Sequence, residues 1–123
     1  MASSGLQLRT EDDFIVGYHV EISGNGTPLV LLHGFTGSAA NWREHAPAFV
    51  AAGRQVVCID IVGHGQSDAP EDIDAYRMAR VAQQVAEQLT QFGAVDLLGY
   101  SMGGRLALYL TVHYPQLVQR LIL

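Results

Sequence analysis

The sequence predicts an α/β protein in which a mostly parallel sheet is flanked by helices on both faces. Three observations lead there. Short, largely apolar runs at residues 28–32, 56–59 and 95–98 are bounded by turn-forming residues, as strands buried on both faces are. Helical periodicity occupies the stretches between and after them, and strand–helix alternation implies parallel pairing with crossover helices. The chain is long enough for one domain with a core of its own: 123 residues, 49% apolar and only 15% charged.

In chain order, residues 6–9 and 15–22 alternate loosely and predict an opening antiparallel pair. Ser23-Gly24-Asn25-Gly26 is a turn, and the run 28–32 is the first buried strand. A helix is expected over 41–52, ended by Gly53, with the strand 56–59 after it. The clearest helix is 78–92, where Met78, Val81, Val85, Leu89 and Phe92 step by threes and fours before Gly93. Arg77 cannot cap that helix as Ser or Thr would, which leaves Asp74 to act one turn earlier. After the strand 95–98, a third helix over 102–114 stops before Pro115, and 120–123 reads as the start of another strand. A three-layer domain ending there is unfinished, so the expectation is the N-terminal part, 1–123, of a single larger domain.

The net charge of −5 and the isoelectric point near 5.3 argue against nucleic acid or a membrane surface as partner. A lone cysteine, Cys58, inside an apolar run reads as a buried core residue and suits a reducing cytoplasm. Residues 1–5 lack the basic start and apolar stretch of a secretion signal, and no apolar run reaches bilayer length. The expected setting is cytoplasmic. Neither a metal nor a cofactor is expected, since no histidine pair has metal-site spacing and company.

Gly99-Tyr100-Ser101-Met102-Gly103 lies between an apolar strand and a helix. Such a turn is tight and holds its serine in a strained conformation at the sheet's carboxyl edge. Glycines two residues to either side fit because a Cβ there would meet the neighbouring strand and helix. The helix that follows offers free N–H groups and positive dipole character to developing negative charge. Ser101 is therefore the candidate catalytic residue. Leu31-Leu32-His33-Gly34-Phe35 follows an earlier strand, where the backbone N–H of Phe35 can act as one oxyanion donor and that of Met102 as the other.

His33 reads as a structural histidine bonding the loop backbone. Asp60 and His64, in Asp60-Ile61-Val62-Gly63-His64-Gly65-Gln66-Ser67-Asp68, read as parts of a tight loop. Both precede Ser101, whereas a catalytic acid and histidine follow the serine in this arrangement. His19, His45 and His113 read as solvent-facing or packing residues. Arg105 stands four residues after Ser101 on one helix, so the two side chains share a face. A guanidinium there suits a small anionic substrate gripped through its carboxylates, or pairs with a nearby acid. Tyr100 is a candidate for lining the pocket or for packing.

Together, His33-Gly34-Phe35, the loop from Asp60 to Asp68 and Gly99-x-Ser101-x-Gly103-Gly104 resemble the α/β-hydrolase superfamily. The runs 32–38, 63–70 and 98–108 further resemble the 2-succinyl-6-hydroxy-2,4-cyclohexadiene-1-carboxylate synthases of menaquinone biosynthesis. That resemblance implies a lyase on a hydrolase fold, which removes pyruvate from 2-succinyl-5-enolpyruvyl-6-hydroxy-3-cyclohexene-1-carboxylate. It implies that Ser101, activated by a histidine, abstracts a ring proton, with Arg105 binding substrate and Tyr100 lining the pocket. The family's acid, histidine, cap region and other arginines lie downstream of the elbow, so the chain alone is expected to have negligible activity. A general serine hydrolase of ester or carbon–carbon bonds, or a non-catalytic half-domain, are the other readings. The sequence carries no sign of oligomeric state.

Overall fold

A computed structural model of the chain describes residues 4–8 and 16–123. Six strands form one sheet: β1 (Ser4–Leu8), β2 (Tyr18–Ser23), β3 (Thr27–Leu32), β4 (Arg54–Ile59), β5 (Val95–Gly99) and β6 (Val118–Ile122), in the spatial order β1-β2-β4-β3-β5-β6. The pairs β4–β3, β3–β5 and β5–β6 are parallel, while β1–β2 and β2–β4 are antiparallel. The expected opening pair is present, with Ser4 opposite Ile22; Arg9 and Ile15 lie outside the described residues.

Period-two alternation within the strands makes two cores. Val30, Leu32, Val57, Ile59, Val95 and Leu97 point to one face. Leu29, Leu31, Val56 and Cys58 point to the other. The first face is covered by α2 (Met78–Leu89) and α3 (Met102–His113), the second by the short α1 (Ala46–Ala51). The predicted spacing of α2 holds: Val81, Val85 and Leu89 are buried, with Met78 and Phe92 packed at the margins. Tyr18 donates its hydroxyl to buried Gln84 (2.6 Å), tying β2 to α2.

Local differences from the expected elements have identifiable causes. The helix expected over 41–52 is a 3-10 turn at Ala39–Trp42 followed by α1. Pro47 explains the break, because it has no N–H to donate to Arg43 and its ring would crowd that carbonyl. The chain restarts with Pro47 in the first turn of α1, where the missing donor costs nothing. Ser38 and Asn41 cap the 3-10 turn reciprocally. Before α2, Asp72 rather than Asp74 does the capping, by accepting from the Asp74 N–H of a 3-10 turn at Ile73–Tyr76; α2 itself starts without a side-chain cap. β6 begins two residues earlier than predicted, at Val118.

After β3 the chain crosses one face to reach β4. After β4 it crosses the other face to reach β5 on the far side of β3. The loops leaving β3 and β5 therefore diverge at the sheet's carboxyl edge, where open α/β sheets form their binding crevice.

Candidate active site

Ser101 occupies the turn between β5 and α3 with φ 54° and ψ −113°. The left-handed φ is one that an L-residue rarely adopts, at a cost of about 1–3 kcal/mol. The turn exists because two backbones touch. A Cβ on Gly99 would run into the carbonyl of Gly103, and one on Gly103 would run into the carbonyls of Leu32 and His33. Tyr100 N–H donates to Leu32 O (3.0 Å), which fixes the elbow to the end of β3. Ser101 stands at the N-cap position of α3, yet its hydroxyl makes no capping bond. A serine there ordinarily spends its hydroxyl on a free amide. This one is exposed at the positive end of a 12-residue helix.

The loop after β3 lies directly against this elbow. A Cβ on Gly34 would stand 3.0 Å from the Tyr100 ring and 3.4 Å from Ser101 Cβ. Phe35, the next residue, is exposed, and Met102 is partly buried beside it. Two hollows flank the joint. One, of about 470 Å³, is lined by Phe35, Thr36, Asn41, Trp42 and Tyr100. The other, of about 240 Å³ and apolar, is lined by Phe35, His64, Tyr76, Met78, Met102 and Leu106.

His33 and Asp60 hold the loops, as the sequence predicts. Buried His33 accepts from the Ile61 N–H at Nε2 (3.0 Å), so Nδ1 carries the proton and donates to Gly34 O (2.8 Å). Burial pushes its pKa below 6.5, with His64 adding to the shift against the opposing Gly34 carbonyl and Asp60. With both nitrogens committed, this imidazole has no lone pair for Ser101. Asp60 accepts from Ala39 N–H (2.6 Å) and Gln66 N–H (2.9 Å). Ser67 donates to Asp60 O and accepts from His19 N–H, and Asp68 accepts from Gly17 N–H. The loop motif thus binds the edges of β2, β3 and β4 together. His64 rests its ring 5.0 Å from His33 and 5.8 Å from Phe35.

Arg105 is exposed, and among the described residues its side chain has no hydrogen bond or ion pair. No acid among the described residues pairs with it. It borders, with Ser101, Tyr100 and Leu108, a shallow hollow of about 300 Å³. After Ser101 the sequence has no Asp or Glu, and its one histidine, His113, stacks on Tyr109. Twelve residues of helix set His113 roughly 18 Å from the serine, beyond proton transfer. Cys58 is buried and its thiol pKa is pushed up to about 12, chiefly by desolvation, which makes it an inert core residue.

The sequence reading missed Thr36. It takes φ 67° in a turn closed by Gly37 N–H to Gly34 O (3.0 Å), a strained position for a β-branched residue. The spacing Gly34-x-x-Gly37 was the available signal. No group of three or more potential metal ligands occurs among the described residues, and no described helix is long and apolar enough to cross a membrane.

A family model described as the alpha/beta hydrolase fold matches residues 27–123. A protein of Bacillus subtilis (strain 168), provisionally named 2-succinyl-6-hydroxy-2,4-cyclohexadiene-1-carboxylate synthase, is 40% identical over 100 residues, covering 77% of this chain and 35% of that protein. Epoxide hydrolase 4 of Mus musculus is 31% identical over 118 residues, covering 94% of this chain and 33% of that one. Among solved structures, epoxide hydrolase A from Mycobacterium thermoresistibile superposes with a TM-score of 0.88 at 28% identity, over 98% of this chain and 38% of its own. The chain spans about a third of the length of these relatives.

Proposed function

The chain belongs to the α/β-hydrolase fold family, and from that premise we propose that it carries the reactive serine of a lyase acting on a small, multiply anionic ring. In this reading Ser101 takes the proton, Phe35 and Met102 donate their N–H groups to the developing oxyanion, and Arg105 and Tyr100 bind substrate. The reaction is loss of pyruvate from 2-succinyl-5-enolpyruvyl-6-hydroxy-3-cyclohexene-1-carboxylate, in a cytoplasmic setting that suits the buried thiol of Cys58.

Arg105 is the observation that carries the lyase reading. An exposed guanidinium with no acid partner among the described residues, one helical turn from Ser101, is matched to a carboxylate rather than to a neutral ester. The 40% identity to the Bacillus subtilis protein supports the same substrate class. In the proposed step Ser101 Oγ, relieved of its own proton by a histidine, removes a proton from the ring. The electron pair of that C–H bond becomes a ring double bond as the C–O bond to the enolpyruvyl group breaks. The departing enolate takes up a proton and becomes pyruvate.

That histidine and its acid partner belong after the serine in chain order in this fold. No described residue supplies them, so residues 1–123 by themselves are expected to release pyruvate negligibly. The wider protein that carries this segment should release it at an enzymatic rate. There Ser101→Ala should lower kcat at least about 10³-fold. Arg105→Ala should raise KM at least about tenfold, the loss of one charge-assisted contact.

A second reading is a serine hydrolase, favoured by the epoxide hydrolases among the relatives. Serine chemistry narrows it: a serine that opened an epoxide would be left as an ether, which water does not readily cleave, whereas an acyl-serine ester hydrolyses. Rapid turnover of aryl esters with no pyruvate from the enolpyruvyl substrate would replace the lyase with this reading.

A further inference from the structure

The turn after β3 carries a backbone cost that the Thr36 side chain does not offset. Its third residue, Thr36, has φ 67° while Phe35 before it does not enter the left-handed region, the pattern of a type II turn. That position favours Gly or Asn, because any Cβ crowds the backbone there and a branched one crowds it most. Two ordinary compensations are absent. The Thr36 hydroxyl makes no hydrogen bond with any described residue, so it does not bridge the turn. The side chain is exposed, so packing does not hold it in place.

What Thr36 does have is position. It lies on the wall of the cleft of about 470 Å³ that it shares with Phe35, Asn41, Trp42 and Tyr100. Two of the cleft's lining residues adjoin Ser101: Tyr100 precedes it in the chain, and a Cβ on Gly34 would stand 3.4 Å from its Cβ. No acidic side chain among the described residues lines the cleft, whereas the Thr36 and Tyr100 hydroxyls and the Asn41 amide do. A donor-lined cleft without carboxylates fits an acceptor-rich guest.

We propose that Thr36 is a specificity residue whose hydroxyl donates to a carboxylate oxygen of the substrate, on the side of Ser101 marked by Tyr100. The strained backbone aims the hydroxyl at the guest, so no rotation of the loop is needed when substrate enters. The inference rests on the anionic-substrate reading above and adds a second carboxylate contact to that of Arg105.

Three variants in the protein carrying this chain test it, with pyruvate release and thermal unfolding as separate readouts. Thr36→Gly should raise Tm by about 2–5 °C as the strained φ relaxes, yet raise KM about tenfold, as loss of a hydrogen bond to a charged group does. Thr36→Val keeps the branched shape and should raise KM equally without raising Tm. Thr36→Ser should return KM to within about threefold of the parent. An unchanged KM in Thr36→Val overturns the proposal, and so does a raised KM in Thr36→Gly alone, which would assign the effect to turn rigidity. A Tm that falls in Thr36→Gly removes its premise. A parent protein that releases no pyruvate sinks the lyase reading instead, a result distinct from each of these.

Discussion

At Ser101 the chain forgoes ordinary stabilisation to keep a particular atom available, and at His33 it uses every polar atom to fix its loops. Ser101 accepts a left-handed backbone and leaves its hydroxyl off the helix that it begins. His33 does the reverse, spending both ring nitrogens on the backbones of two loops. Its lowered pKa, set first by burial, gives that arrangement a pH dependence. Below pH 6.5 the unfolded chain takes up a proton that the folded chain resists. The stability that neutral His33 contributes is thus present above 6.5 and is lost as pH falls through the folded value. The urea midpoint should therefore decline from pH 7 to pH 5, and the decline should be shallower in His33→Gln. Equal slopes for the two proteins would exclude His33 as the source. The sequence already pointed to His33 as a structural histidine bonding its loop backbone. It did not show Ile61 as the partner, since a contact across 28 residues has no local signature. Thr36 was hidden for a different reason: Gly34 and Gly37 mark a turn, but positive φ is announced by Gly or Asn at the position itself, and threonine does not announce it.

Among the elements, those with strong periodicity were readable and those governed by a single interruption were not. The stripe from Met78 to Phe92 predicted α2 because its apolar period is sustained over four turns. Helix α1 came out half as long as expected because Pro47 outweighs the apolar pattern around it. The elbow was legible because its glycines answer to a backbone contact that any such joint must make. That contact separates two adjacent positions on α3. An alanine at 103 must push α3 away from the Leu32 and His33 carbonyls, while one at 104 meets Gly99 O at 3.3 Å, a gap that a small shift accommodates. Gly103→Ala should lose about 3 kcal/mol of unfolding free energy, the upper part of the range for overpacked cores, because the opposing atoms are backbone. Gly104→Ala should lose under about 1 kcal/mol, and chemical denaturation of the two variants side by side would measure the difference. Similar losses would mean that the joint is looser than its geometry implies.

Over the whole molecule, the alternation of strands and helices was enough to predict a sheet covered on both faces, and chain direction then placed the crevice. What alternation does not specify is which strands lie side by side. The order in which β5 passes β3 is decided by crossovers, not by composition. Buried Asp96 helps fix that order, bonding Arg54 of β4 (2.7 Å) across β3 and Arg120 of β6 (3.3 Å). Among the described residues β6 is an edge strand, with Ile122 and Leu123 exposed beside it and Leu108 and Val112 exposed on α3. Unpaired strand edges beside apolar side chains favour association. The 123-residue chain should scatter light increasingly as its concentration rises, and Ile122→Lys should suppress this; scattering that Lys leaves unaltered would place the contact elsewhere. The joint where β3, β5 and α3 meet has a further consequence, in heredity rather than in energy. Where two side chains collide, a second mutation can shrink one to make room for the other. At Gly103 the opposing atoms are main-chain carbonyls, which every amino acid carries alike. No replacement of Leu32 or His33 removes them, so a search for intragenic suppressors of Gly103→Ala should recover reversion and little at those two codons.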